Sequence, residues 1–102
     1  MKEYPLRERT KAFAIRIIKM FCSLPKSTEA QVLGKQALRS GTSVAANYRE
    51  ASRARSDAEF VAKLAIVEQE LDETLLWLEL LVESSIVKES RCPPYSKRPM
   101  SC

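Results

Sequence analysis

Acidic side chains crowd the C-terminal half of the chain and are the first candidates for chemistry. Those at helical spacing from one another are Glu70, Asp72, Glu73, Glu79 and Glu83. Carboxylates on one helix can hold Mg²⁺ beside a nucleotide phosphate when a facing helix supplies further acids. Residues 1–55 contain only Glu3, Glu8, Glu29 and Glu50. A solvated acidic face is therefore favoured, and a Mg²⁺-dependent nucleotide hydrolase is the weaker alternative.

The side chains that most often activate a nucleophile or bind a metal are absent or scattered. The chain has no His, so its serines lack the commonest general base. The three cysteines, Cys22, Cys92 and Cys102, are too few and too far apart for a zinc site or a disulfide framework. We therefore expect the protein to reside in the reducing cytoplasm. Cys22 lies among apolar positions and is predicted to fill the core. No catalytic residue, metal site or cofactor is predicted.

Basic residues are the best candidates for a functional site. Arg49, Arg53 and Arg55 crowd the end of a helical segment, where positive charge complements the helix dipole. Together with other cations they could bind phosphates with an affinity that falls steeply with salt. Tyr48 is the only aromatic residue in the cluster, so sequence-specific reading of bases is not expected. Ion pairs to an acidic helix are the open alternative. The predicted nucleic-acid-binding residues are Arg9, Arg16, Lys19, Arg39, Arg49, Arg53 and Arg55.

Length and charge bound the class of protein. The chain has 102 residues, which is typical of one domain, and a net charge of +4. The net charge is +5 over residues 1–26, +3 over 27–55, −7 over 56–90 and +3 over 91–102. This layout fits either a nucleic-acid surface or basic helices packed beside an acidic one. No uncharged run approaches the ~20 residues of a membrane span, and the N-terminus has no apolar signal core. We expect no membrane association.

Apolar periodicity and only two glycines predict an all-helical chain with three long helices. The first ends at Leu24-Pro25, because proline disfavours a helical conformation in the residue before it. Capping boxes at Thr28-Glu29-Ala30-Gln31 and Ser56-Asp57-Ala58-Glu59 predict the starts of the other two. The third helix is apolar beyond one seam, so more than one neighbour must bury it, in a bundle centre or a subunit interface.

Small residues line one side of the second helix. The set is Ala30, Gly34, Ala37, Gly41, Val44 and Ala45. Each interior glycine costs ~1 kcal/mol relative to alanine, so the close approach of another helix is expected to offset it. Asn47 lies on or next to this side, between Val44 and Ala51. A buried amide needs hydrogen-bond partners and often sets helix register, which is the role predicted for Asn47.

Two stretches carry a family resemblance. The first has the pattern L-R-S-x-x-S-V-x-x-N from Leu38, followed by E-A, R-x-R-S, E-F and K-L, the last at Lys63-Leu64. The second is E-x-D-E-T-x-x-W-L-E-L-L from Glu70 to Leu81. Over about residues 6–90 the chain resembles the 23S rRNA intervening-sequence proteins, a bacterial family. The likeness implies an antiparallel up-down four-helix bundle, a ring-like homopentamer and no known enzymatic activity or cofactor. The chain is also similar to the accessory protein of diversity-generating retroelements, a basic pentamer that binds nucleic acid and a reverse transcriptase.

The C-terminus departs from that family. Its members carry a fourth helix after the equivalent of Ser85-Ile86-Val87, whereas this chain continues KESRCPPYSKRPMSC. Prolines rule out a regular helix through Pro93–Pro99. We expect residues 1–90 to form the bundle domain and residues 91–102 an irregular tail, truncated or frameshifted relative to the family. Without a fourth helix the wide apolar faces are partly uncovered, which predicts low stability and self-association.

These observations predict a non-enzymatic, cytoplasmic bundle that forms homo-oligomers, with a pentamer implied by the resemblance. Its leading function is scaffolding or RNA/DNA binding. The alternative is an accessory module that binds a protein and has no nucleic-acid role.

Overall fold

Three long helices account for most of the described chain. The computed structural model describes residues 5–88, which form α1 (Pro5–Cys22), α2 (Thr28–Ala51) and α3 (Asp57–Glu83). Short connections make consecutive helices antiparallel, and α2 packs against both α1 and α3. The prediction of an all-α helical bundle is confirmed, and residues 5–88 contain no strand.

Serine residues are the N-caps of the second and third helices. The Ser56 hydroxyl accepts a hydrogen bond from the Glu59 N–H at 3.1 Å, and the Glu59 carboxylate accepts one from the Arg55 N–H at 3.1 Å. The capping residue predicted for α3 is therefore confirmed. The one predicted for α2 is wrong by a residue, because Ser27 caps that helix in place of Thr28. The Gln31 side chain, expected to complete the box, donates instead to the Pro25 carbonyl at 2.9 Å.

Glycines on α2 allow α1 to come close. A Cβ atom built at Gly41 would lie 2.9 Å from Cγ1 and 3.2 Å from Cγ2 of Ile17, which is fully buried. One built at Gly34 would meet the side chains of Leu24 and Phe21. Both glycines are buried, so the close helix contact predicted from the small residues is confirmed.

A buried polar contact joins α2 to α3. The Thr74 hydroxyl donates to the Ser40 hydroxyl at 2.7 Å, and both side chains have no exposed surface. The Ser40 hydroxyl in turn donates to the Gln36 carbonyl at 3.0 Å, one turn earlier on α2. Each buried oxygen is therefore hydrogen-bonded, which offsets the cost of removing it from water.

A left-handed residue ends α3. Ser85 has a φ of 66°, and the N–H groups of Ile86 and Ser85 donate to the carbonyls of Leu81 and Val82 at 3.0 and 2.9 Å. This is the Schellman arrangement, which more often uses glycine at the left-handed position. It turns the chain back so that Val87 is buried against the core.

Part of the apolar surface of α3 stays exposed within one chain. Ile66, Leu76 and Leu80 are 38–47% exposed, so the other helices of residues 5–88 do not bury the whole apolar surface of α3. The expected tail, 91–102, lies outside the described residues. None of the helices described has the length and apolarity needed to cross a bilayer.

Candidate nucleic-acid interface

A basic groove lies between the first half of α1 and the last two turns of α2. Its volume is about 530 Å³. Arg7 and Lys11 line it from α1, Arg49 lines it from α2, and Arg53 lines it from the turn that follows α2. Arg7 and Lys11 are four residues apart on α1, so both lie on one side of that helix, ~6 Å apart along its axis. The small side chains of Ala45 and Ala46 lie between these cations. Because α1 and α2 are antiparallel, Arg7 and Lys11 line one side of the groove and Arg49 and Arg53 line the other.

The four cations of this basic groove are not neutralised. Within residues 5–88, no hydrogen bond or ion pair joins the side chain of Arg7, Lys11, Arg49 or Arg53 to another side chain. Glu50 also lines the groove, but its Oε1 accepts from Lys63 Nζ on α3 at 2.6 Å. Like charges four residues apart destabilise a helix slightly, so the basic groove is a place where an anion would relieve repulsion.

Only two of the predicted phosphate-binding residues meet in this groove. Arg49 and Arg53 line it, whereas Arg7 and Lys11 were missed by sequence reasoning. The signal that could have found them is their i, i+4 spacing at the start of α1, because antiparallel packing places that end beside the last turns of α2. Neither residue belongs to an arginine-rich motif, so they did not stand out.

The predicted cations of α1 point elsewhere. Arg9 is two positions from both Arg7 and Lys11, which is ~200° around a helix, and so it faces away from the basic groove. Arg16 is five residues beyond Lys11 and Lys19 eight, about 7.5 and 12 Å further along α1. All three predicted side chains, those of Arg9, Arg16 and Lys19, are exposed, and none lines the groove.

Arg39 is paired with the acidic helix. Its guanidinium donates to Glu73 at 2.6 Å and to Glu70 at 3.4 Å. The hydrogen bond to Glu73 is the main cause of a raised pKa for Arg39, which desolvation partly opposes. The ion-pair alternative that the sequence left open therefore applies to Arg39. The same bonds engage two of the carboxylates considered for Mg²⁺, and residues 5–88 contain no group of three metal-binding side chains close enough to share an ion.

Arg55 occupies the turn between α2 and α3. It lines a small cleft with Ser52, Ser56 and Asp57, away from the basic groove. The carboxylates of Asp57 and Glu59 follow it in the first turn of α3. Its surroundings are thus mixed in charge, unlike those of Arg49 and Arg53.

Tyr48 and Asn47 belong to other surfaces of α2. Tyr48 is 6% exposed and lines an apolar groove of about 290 Å³ between α1 and α3, together with Phe13 and Leu71. Asn47 is half-buried, and its amide donates to the carbonyl and the hydroxyl of Ser43 at 2.9 and 2.8 Å, within its own helix. The role of Asn47 in register stays a prediction. Cys22, expected in the core, is exposed, because it falls on the outer side of α1.

Comparison with known proteins assigns the chain to a family. A profile of the family described as 23S rRNA-intervening sequence protein matches residues 2–98. Among solved structures, the chain is similar to a protein with unknown function from the S23 ribosomal protein family of Bacteroides thetaiotaomicron. The two are 40% identical, with a TM-score of 0.77 over 83% of this chain and 79% of that one. A search of curated proteins found no match. The chain therefore belongs to the 23S rRNA-intervening sequence protein family.

Proposed function

We propose that this protein is a non-enzymatic helical module that binds RNA or DNA through phosphates held in the basic groove. The observation that carries the proposal is the convergence of Arg7, Lys11, Arg49 and Arg53, none of which is paired with a carboxylate within residues 5–88. Arginine binds phosphate oxygens in a bidentate manner, and unpaired cations attract a polyanion by releasing its counterions.

The composition of the basic groove favours contact with the backbone of a nucleic acid over its bases. Among residues 5–88 no aromatic side chain lines it, and Tyr48 is buried on another side of α2. Stacking on aromatic rings supplies much of the affinity of proteins that bind bases in single strands. The proposed binding is therefore tolerant of sequence and strongly dependent on salt.

The test is a titration of the protein with labelled single-stranded RNA, single-stranded DNA and duplex DNA at several salt concentrations. Reversing two cations, with Arg49→Glu and Arg53→Glu, is expected to weaken binding at least ~30-fold and to reduce the salt slope by about two. The matched control is Lys26→Glu with Lys35→Glu, two exposed lysines outside the groove that change the net charge equally. Equal losses of affinity in the two variants would show that binding depends on net charge and not on the basic groove.

Self-association is the second part of the proposal. The exposed apolar side chains Ile66, Leu76 and Leu80 lie on one side of α3. This exposed apolar surface supports a homo-oligomer, for which the family resemblance suggests five subunits. The mass in solution tests this, with Leu76→Glu and Leu80→Glu expected to yield monomers. A monomeric wild-type protein would contradict it.

The setting we propose is the cytoplasm, in line with the use of cysteine. A module that binds another protein is the competing function, and the titration separates the two. Nucleic-acid binding that ignores Arg49 and Arg53, or none at all, would favour the protein-binding module.

A further inference from the structure

One carboxylate lines the basic groove, and its position decides how much positive charge is available there. Glu50 lies on the last turns of α2, and its side chain is 58% exposed. Its Oε1 atom accepts a hydrogen bond from Lys63 Nζ at 2.6 Å. Lys63 lies on α3 and does not line the groove.

We infer that Lys63 is a positioning residue for phosphate binding: it holds the Glu50 carboxylate toward α3 and so keeps it from neutralising the groove arginines. The inference rests on the proposed function of the basic groove. It assigns a role in binding to a residue that does not touch the ligand.

The geometry at the end of α2 explains why Glu50 needs a competing partner. Arg53 lies in the turn just past α2, and its backbone N–H donates to the Glu50 carbonyl at 3.1 Å, so the two side chains leave the backbone close to each other. Within residues 5–88, Arg53 has no carboxylate partner, and Glu50 is bonded to Lys63. Lys63 and Arg53 thus compete for the Glu50 carboxylate, which in this structure is bonded to Lys63.

The two arrangements differ in the charge that a phosphate would meet. With Glu50 on Lys63, the side chains of Arg49 and Arg53 both keep free donors in the basic groove. With Glu50 on Arg53, one guanidinium is neutralised and its donors are occupied, which removes about one phosphate contact. Exposed ion pairs are weak, so the loss of Lys63 is expected to lower affinity about threefold and not to abolish binding.

A double-mutant cycle separates positioning from the charge of Lys63 itself. The variants are Lys63→Met, Glu50→Gln and the two together, titrated with a labelled oligouridylate and checked for unchanged helicity and melting temperature. Lys63→Met alone is expected to weaken binding about threefold and to lower the salt slope by about one. The double variant is expected to bind like Glu50→Gln alone, because no carboxylate is left to misplace. Lys63→Arg should retain wild-type binding.

A charge-matched control completes the design. Lys35→Met removes one positive charge from an exposed position outside the basic groove. The inference is overturned if Lys35→Met weakens binding as much as Lys63→Met does, or if Lys63→Met has the same effect with and without Glu50. Binding that Arg49→Glu and Arg53→Glu still lower would in that case leave the proposed function standing. Absence of any binding by the wild-type protein would overturn both.

Discussion

The two flanks of α2 use the same kinds of residues in opposite ways. Toward α3, Arg39 is bonded to Glu70 and Glu73, and Ser40 is bonded to Thr74. Toward α1, the helix presents glycine and alanine, and within residues 5–88 Arg49 forms no ion pair, although Glu50 lines the same groove. The first flank satisfies its polar groups within the chain, whereas the second leaves its positive charges free.

The difference comes from the helix that each flank meets. Described α3 is rich in carboxylates, so an arginine facing it finds a partner. Described α1 has a single acid, Glu8, so arginines facing it do not. Whether an arginine of α2 is paired is therefore decided by the composition of the neighbouring helix and not by its own motif.

The largest expected effect is on the flank that meets α1. Ile17→Ala removes a fully buried side chain at the close approach to Gly41, and should lower the free energy of unfolding by about 2–5 kcal/mol. Chemical denaturation measures this. A loss below ~1 kcal/mol would show that the α1 contact adds little to stability.

The second prediction contrasts two arginines. Arg49→Ala should weaken oligonucleotide binding about fivefold and leave stability unchanged, because the guanidinium has no intramolecular partner within residues 5–88. Arg39→Ala should leave binding unchanged and lower the melting temperature slightly, an effect that salt reduces. Titration and thermal melting of both variants measure this, and equal effects on binding would remove the distinction between the flanks.

The third prediction is a change of sign at Gly41. In the wild type, Gly41→Ala should cost about 1 kcal/mol, because its Cβ would crowd both γ carbons of Ile17 by more than the gain in helix propensity offsets. In an Ile17→Ala background the two γ carbons are gone and the Cβ of residue 17 remains at 3.3 Å, so the same change should become stabilising, by up to ~1 kcal/mol. Denaturation of the four proteins tests this. If Gly41→Ala still destabilises the protein in the Ile17→Ala background, the close contact of residue 41 must be with a side chain other than that of residue 17.

The smallest effect is expected on the flank that meets α3. Thr74→Val removes the donor to Ser40 and should cost ~1 kcal/mol, whereas Thr74→Val with Ser40→Ala should cost less, since both partners are then apolar. Comparing melting temperatures checks this. A double variant worse than the single one would mean that the pair is held by packing and not by its hydrogen bond.

Much of the fold was predictable from local patterns. Apolar periodicity located all three helices, Ser56 was recognised as a cap, and the glycines indicated a close helix contact. The errors fall where two residues compete for one role. Ser27 and Thr28 are both good caps, and the choice depends on where Gln31 finds an acceptor. Cys22 was misplaced because an apolar neighbourhood in sequence does not specify which side of a helix a residue takes.

The candidate site was only half predictable. Arg49 and Arg53 were expected in it, while Arg7 and Lys11 were not, and Arg39 was removed from it by two carboxylates. Charge attached to a motif is visible in a sequence. Which charged side chains remain unpaired depends on the two helix surfaces that pack together, so it cannot be predicted before the positions of the helices are known.

The amino-acid sequence by itself determined that this protein is helical, where α1 ends and where α2 and α3 begin to within a residue or two, and which family it resembles. These properties depend on interactions within a few turns of one chain segment, such as caps, proline and the 3.6-residue period. Only the tertiary structure decided which cations remain unpaired, that Tyr48 is buried away from them, and that Glu50 is bonded to Lys63. Those outcomes depend on contacts between helices, where side chains distant in sequence compete for the same partner.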